Sequence, residues 1–157
     1  MEINIGIPAA NRKKMATILN SLLSDEFLLY VKTINFHWNV KSKHFRDMHK
    51  FFLDQYEMLL QISDDVAERI RSLDEPSFGT MQEFLKHTRL KEHPGKALTD
   101  QQMIKSLLED HESIIKIIRK DQQTAMDLGD MGTNNFLLNL LEKQEKMAWM
   151  LRASLIK

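Results

Sequence analysis

Four stretches of this chain repeat apolar residues every three or four positions, and the residues that interrupt helices fall only between them. In residues 10–36, Met15, Leu19, Leu22, Leu23, Phe27, Tyr30, Val31 and Ile34 share one helical face, with Pro8 placed where a helix can begin. At 1.5 Å per residue that helix is about 40 Å long. Residues 46–72 repeat the pattern, with Phe45, Met48, Phe52, Tyr56, Leu59, Leu60, Val66 and Ile70 expected inward. This stretch fades at Leu73-Asp74-Glu75-Pro76, and Gly79 follows. Thr99 is placed to cap a third helix whose stripe is Met103, Ile104, Leu107, Leu108, Ile114, Ile115 and Ile118, and which weakens at Gly129 and Gly132. Thr133 or Asn134 is expected to cap the fourth, with Phe136, Leu137, Leu140, Leu141, Met147, Met150 and Leu151 inward. No segment alternates with period two, so no sheet is expected.

Helices with one apolar stripe each must bury those stripes against one another. The first two are joined by the short break NVKSK at residues 39–43, and the second and third by a long connection over residues 77–99. Within that connection Thr80-Met81-Gln82-Glu83 reads as a capping box opening a short helix that carries Phe84 and Leu85, ahead of the breaker His93-Pro94-Gly95. A long crossover between two hairpins is the connectivity of ferritin-like folds. The expected fold is therefore all-α: a ferritin-like four-helix bundle with a short helix in the long connection between the second and third helices. It occupies residues 1–157 as one domain, long enough for a core without staples.

Composition removes several classes of function. There is no cysteine, which excludes disulfides, thiolate metal sites and cysteine catalysis, and suits a reducing cytoplasm. The formal net charge is zero, and the one basic cluster is Arg12-Lys13-Lys14. That is a weak footprint for a nucleic-acid binder, so DNA is not a favoured partner. The opening MEINIGIPAANRKK is no secretory signal, and no window approaches the roughly 20 apolar residues that span a membrane.

The chemistry gathers in residues 37–68, where His37, His49, Asp64 and Glu68 are all metal-ligand types. On one helix, His49 and Asp64 are about 22 Å apart, too far for one ion with bonds of roughly 2 Å. They differ by only about 60° around the axis, however, so they share a broad face. A second copy packed antiparallel brings His49 of one chain to Asp64 and Glu68 of the other, and a two-fold dimer makes two such sites at once. His37 joins through the helical hairpin, because His37 and His49 are equidistant from Lys43.

Plain structural readings stand beside each of these. His37 can be a satisfied helix end and His49 a polar face residue, while Asp64 and Glu68 can be salt-bridged to Arg69 and Arg71 on a solvated face. Trp38 is a candidate redox-active aromatic beside His37, or a large side chain filling the hairpin end. The ten methionines recur at core spacing and read as packing material. His44, His87, His93 and His111 show no ligand spacing and read as surface or loop residues. No Glu-x-x-His occurs, which argues against a di-iron site within one bundle. Asp121, Asp127 and Asp130 near the end of the third helix are candidates for a cation-attracting pore, or a solvated helix end.

His37-Trp38-Asn39-Val40, then His49, then Asp64 and Glu68 within DDVAERI, resembles the Dps family, the mini-ferritins. MQEFLKHTRLKE is similar to the family's short middle helix, and KMAWMLRASL to its closing helix. The resemblance covers nearly the whole chain. It implies a homododecameric shell of tetrahedral symmetry with a ferroxidase centre at each two-fold interface. There Fe(II) is oxidised, preferentially by hydrogen peroxide, and the product is stored as ferric mineral inside. Consuming iron and peroxide together suppresses hydroxyl-radical production. Carried over by position, His37 and His49 match the two ligand histidines and Asp64 and Glu68 the neighbour's carboxylates. One position departs: the family usually has an aspartate four residues after the second histidine, where this chain has Leu53, with Asp54 next. On an ideal helix Asp54 lies about 100° further round, and a π-bulge would be needed to swing it back. The expected centre is therefore di-iron with a weakened second position. Two rivals remain: a Dps-like shell with impaired ferroxidase activity that acts by binding DNA or a partner, and a plain helical interaction module.

Overall fold

A computed structural model of the chain describes residues 3–155. Helices α1 (Ala9–Asn39), α2 (Phe45–Ser72), α4 (Asp100–Asp127) and α5 (Met131–Ala153) form two hairpins, and α3 (Met81–His87) is the short helix of the long connection. No strand occurs among the described residues. The all-α bundle expected from the sequence is the one observed.

Local chemistry sets the helix ends. Pro8 opens α1 by accepting the Asn11 and Arg12 amides at its carbonyl. Thr80 with Glu83 and Thr99 with Gln102 close reciprocal capping boxes on α3 and α4, each able to contribute about 1 kcal/mol. The cap of α5 is a correction to the sequence reading: it is Asp130, not Thr133 or Asn134. Gly129, at φ 73, turns the chain sharply enough that the Asp130 amide reaches back to the Ala125 carbonyl, so α5 begins earlier than expected.

The core is apolar and continuous, with Leu19, Leu29 and Phe36 of α1, Phe52 and Leu59 of α2 and Leu107 of α4 fully buried. Three residues expected inside lie outside: Phe45 is 48% exposed, Leu60 47% and Met150 36%. The apolar stripe of α2 is wider than the surface α1 covers. Leu60 borders an open groove with Phe27, Phe78 and Phe84.

Buried polar groups tie the long connection down across α1. Asp25, with no exposed surface, accepts from the Thr88 hydroxyl, the Arg89 amide and the Arg89 guanidinium. Lys32 donates to the Lys91 carbonyl at 2.7 Å and to Asp110 at 2.5 Å. Breaking such buried pairs costs about 3–5 kcal/mol, so α3 and the segment after it are fixed parts of the bundle. A second correction concerns His111, which is fully buried on α4 rather than at the surface. It falls on the same stripe as Leu107, Leu108 and Ile114, and the period outweighs residue type.

Candidate metal centre

The last turn of α1 and the second turn of α2 face each other across the five-residue break, and His37 and His49 meet there. Their rings stack with centroids 3.7 Å apart and planes inclined by 22°. Each imidazole bonds the other residue's backbone: His37 Nδ1 lies 2.8 Å from the His49 carbonyl, and His49 Nδ1 2.9 Å from the His37 carbonyl. A carbonyl oxygen only accepts, so both Nδ1 atoms carry the proton. In the neutral rings this leaves the two Nε2 lone pairs unprotonated, and no described residue engages them. Backbone carbonyls holding the far nitrogen are the usual outer support of a metal-binding histidine. The Tyr56 ring lies T-shaped to His37 with centroids 5.2 Å apart, and Phe45 stacks on His49 with centroids 5.1 Å apart, which gives the exposed Phe45 ring its local partner.

Asp64 and Glu68 are exposed on α2, and among the described residues neither has a hydrogen-bond or ion-pair partner. The salt-bridged reading of these two fails on the arginines. Arg69 is spent on Asp130 and the Thr133 hydroxyl, and Arg71 on the Glu75 carbonyl. The adjacent Asp65 differs, since Gln61 donates to it at 2.9 Å and Lys143 lies 3.6 Å away. Within one chain the carboxylates do not reach the imidazoles. No cluster of three or more metal-binding side chains forms among the described residues.

Helix α2 is α-helical throughout, with no π turn, so Asp54 stays off the histidine face, exposed and paired with Lys50. Leu53 occupies the turn after His49 and is half-buried. Trp38 is 68% exposed and makes no ring contact with either histidine. Asp130 is corrected from pore candidate to helix cap, because its two oxygens are taken by Arg69, the Thr133 amide and the Thr133 hydroxyl. Asp121 is buried beside Arg89, 3.8 Å away, and burial raises its pKa against the pull of that guanidinium. Only Asp127 of the three is exposed, and it accepts from Gln123.

Sequence reasoning missed a polar chain inside the bundle. His111 Nδ1 donates to the Gln144 carbonyl oxygen at 2.5 Å, and the Gln144 amide nitrogen lies 2.8 Å from both oxygens of Glu26. Burial pushes Glu26 up to about 8 and His111 down to about 4. The only signal was a polar residue at a stripe position on each of three helices.

A model of the ferritin-like domain family matches residues 16–157. The DNA protection during starvation protein of Helicobacter pylori is 36% identical over 142 residues, spanning 90% of this chain and 99% of that one. The chain belongs to the Dps family. Another relative of this Dps-family chain, an uncharacterized low temperature-induced protein of Nostoc, is 39% identical over 96% of this chain and 85% of its own length. Among solved structures, the Dps protein of Vibrio cholerae, described as a member of a superfamily of ferritin-like diiron-carboxylate proteins, superposes with a TM-score of 0.91 at 29% identity. That match covers 98% of this chain and 96% of the other. Family membership points to iron binding at the superfamily level, and the donor set fits it: imidazole nitrogen and carboxylate oxygen without sulfur.

Proposed function

We propose that this Dps-family chain oxidises Fe(II) at a centre shared between two copies and stores the product as ferric mineral inside a closed shell of twelve. The observation that carries the reading is the reciprocal bonding of His37 and His49, which fixes both tautomers and leaves both Nε2 atoms free. Unpaired Asp64 and Glu68 are what an antiparallel copy would bring to those nitrogens. Iron is the substrate here. The imidazoles hold Fe(II), and the partner's carboxylates neutralise the charge that grows as Fe(II) becomes Fe(III). Hydrogen peroxide accepts two electrons, so turnover consumes about two irons per peroxide and removes both reactants of hydroxyl-radical formation.

We propose the cytoplasm as the location of this activity. Among the described residues no helix is long and apolar enough to cross a membrane. The position of Asp54, tied to Lys50 and away from the histidine face, favours one second reading. In it the shell oxidises iron poorly and acts by binding DNA or another partner. The zero net charge weighs against DNA. Anaerobic Fe(II) loading followed by peroxide, tracked by ferric absorbance, separates the two. Oxidation well above the rate in buffer is expected, and oxidation no faster than buffer would move the function to binding.

A further inference from the structure

We propose that Tyr56 supplies the second electron when one Fe(II) at the His37–His49 pair meets hydrogen peroxide; this rests on the ferroxidase reading above. Few donors are available at such a centre. The hairpin offers two imidazole nitrogens, and a second copy offers Asp64 and Glu68. The next α2 side chain on the His49 face is Leu53, and Asp54, the residue after it, is exposed and held in an ion pair with Lys50. Two imidazoles and two carboxylates are enough to hold one iron. Two-iron sites in helical bundles draw on about four carboxylates and two imidazoles.

One Fe(II) gives one electron, whereas reducing peroxide to water takes two. An unpaired one-electron step would split the O–O bond and release hydroxyl radical. A side chain able to give one electron and one proton beside the iron closes that gap. Tyr56 is placed for it. Its ring and that of His37 lie with centroids 5.2 Å apart and planes at 69°, so an electron crosses one ring contact and one imidazole to reach the metal. Its phenol has no hydrogen-bond partner among the described residues, so the proton it gives up on oxidation goes to solvent or to the reduced peroxide rather than to a side chain. Tyr30 lies behind it at 6.1 Å, also edge-on, and extends the path along α1. Trp38, the sequence neighbour of His37, lacks this contact and is 68% exposed.

The step balances. Fe(II), the Tyr56 phenol, hydrogen peroxide and one proton from solvent give Fe(III), the Tyr56 phenoxyl radical and two waters. The O–O bond breaks, each oxygen leaves as water, iron and tyrosine are each oxidised by one electron, and the phenol supplies the other proton. A second Fe(II) with one proton then reduces the radical to the phenol and becomes Fe(III). One iron position thereby uses two irons per peroxide in sequence.

The test uses the assembled protein loaded anaerobically with Fe(II), mixed with peroxide, freeze-quenched and read by electron paramagnetic resonance. A tyrosyl signal is expected in the unaltered protein and in Trp38→Phe, with at least a tenfold loss in Tyr56→Phe. Spin-trapped hydroxyl radical should rise several-fold in Tyr56→Phe. The phenylalanine keeps the ring packed on His37, and circular dichroism checks that the fold is kept. Iron oxidised above the buffer rate without a tyrosyl signal, or with a signal that survives Tyr56→Phe or vanishes in Trp38→Phe, overturns the proposal and leaves the ferroxidase reading intact. Iron oxidised no faster than in buffer overturns both.

Discussion

Two histidine sites in this molecule begin alike and end differently. At the hairpin end, His37 and His49 donate from Nδ1 to backbone carbonyls. In the bundle core, His111 donates from Nδ1 to the Gln144 side-chain carbonyl. Among the described residues, none of the three rings has a partner at Nε2. The carboxylates make the difference. Glu26 in the core has both oxygens turned to the Gln144 amide and is fully buried, where desolvation keeps it protonated near neutral pH. Asp64 and Glu68 are exposed and unspent. On the proposed reading, then, a fixed tautomer does not by itself make a metal ligand. The imidazole also needs a route for the ion and a carboxylate with oxygens to give.

The largest effects should come from removing the unspent donors. His49→Ala or Glu68→Ala should weaken anaerobic Fe(II) binding by about 100-fold or more, since loss of outer support alone costs 10–100-fold at metal sites. His111→Gln should leave that binding unchanged. Isothermal titration of Fe(II) reads both, and equal losses at the two sites would erase the distinction.

The core site should instead report through stability. Glu26 is raised from an ordinary 4.5 to about 8, so the folded state holds a proton the unfolded chain releases, and stability is lost as pH rises toward 8. His111 is lowered from 6.5 to about 4, so its contribution runs the other way and stability rises between those values. The two offset each other from pH 4.5 to 6.5, and the loss due to Glu26 stands alone from 6.5 to 8. Over that window the cost is about 2 kcal/mol, at roughly 1.4 kcal/mol per unit. Urea denaturation at pH 6.5 and 8 should show this loss in the unaltered protein and not in Glu26→Gln. A slope that persists in Glu26→Gln would place its source elsewhere.

The smallest effect sharpens the comparison from the hairpin side. Leu53→Asp restores a carboxylate one turn after His49 and should tighten a second iron per site by about tenfold, measured as irons bound per chain. An unchanged count would mean that Leu53 does not limit the centre.

The fold was legible in the sequence because burial of each apolar stripe leaves few ways to pack four helices, and glycine and proline mark their ends. The histidine pair was legible because a hairpin sets residues equidistant from its turn opposite each other. Phe45 and Leu60 were misread as core because a stripe gives the width of an apolar face and not what covers it. Asp130 took the cap from Thr133 because the positive φ of Gly129 depends on how α4 ends, which no spacing reveals. His111 was set aside by residue type although its position on the stripe of α4 was readable. Tyr56 was read as a core residue, and its contact with His37 follows from the stagger of α1 against α2, which periodicity does not fix.

On the proposed reading each centre takes His37 and His49 from one copy and Asp64 and Glu68 from another, and mixed assemblies decide this. One variant carries His37→Ala with His49→Ala, the other Asp64→Ala with Glu68→Ala, and each assembled alone should oxidise Fe(II) no faster than buffer. Co-assembled in equal amounts, half of the two-fold pairs are mixed, and each mixed pair regains one of its two centres. Activity should therefore return to about a quarter of that of the unaltered protein. No recovery in a mixture shown by mass spectrometry to contain both chains would contradict a shared centre.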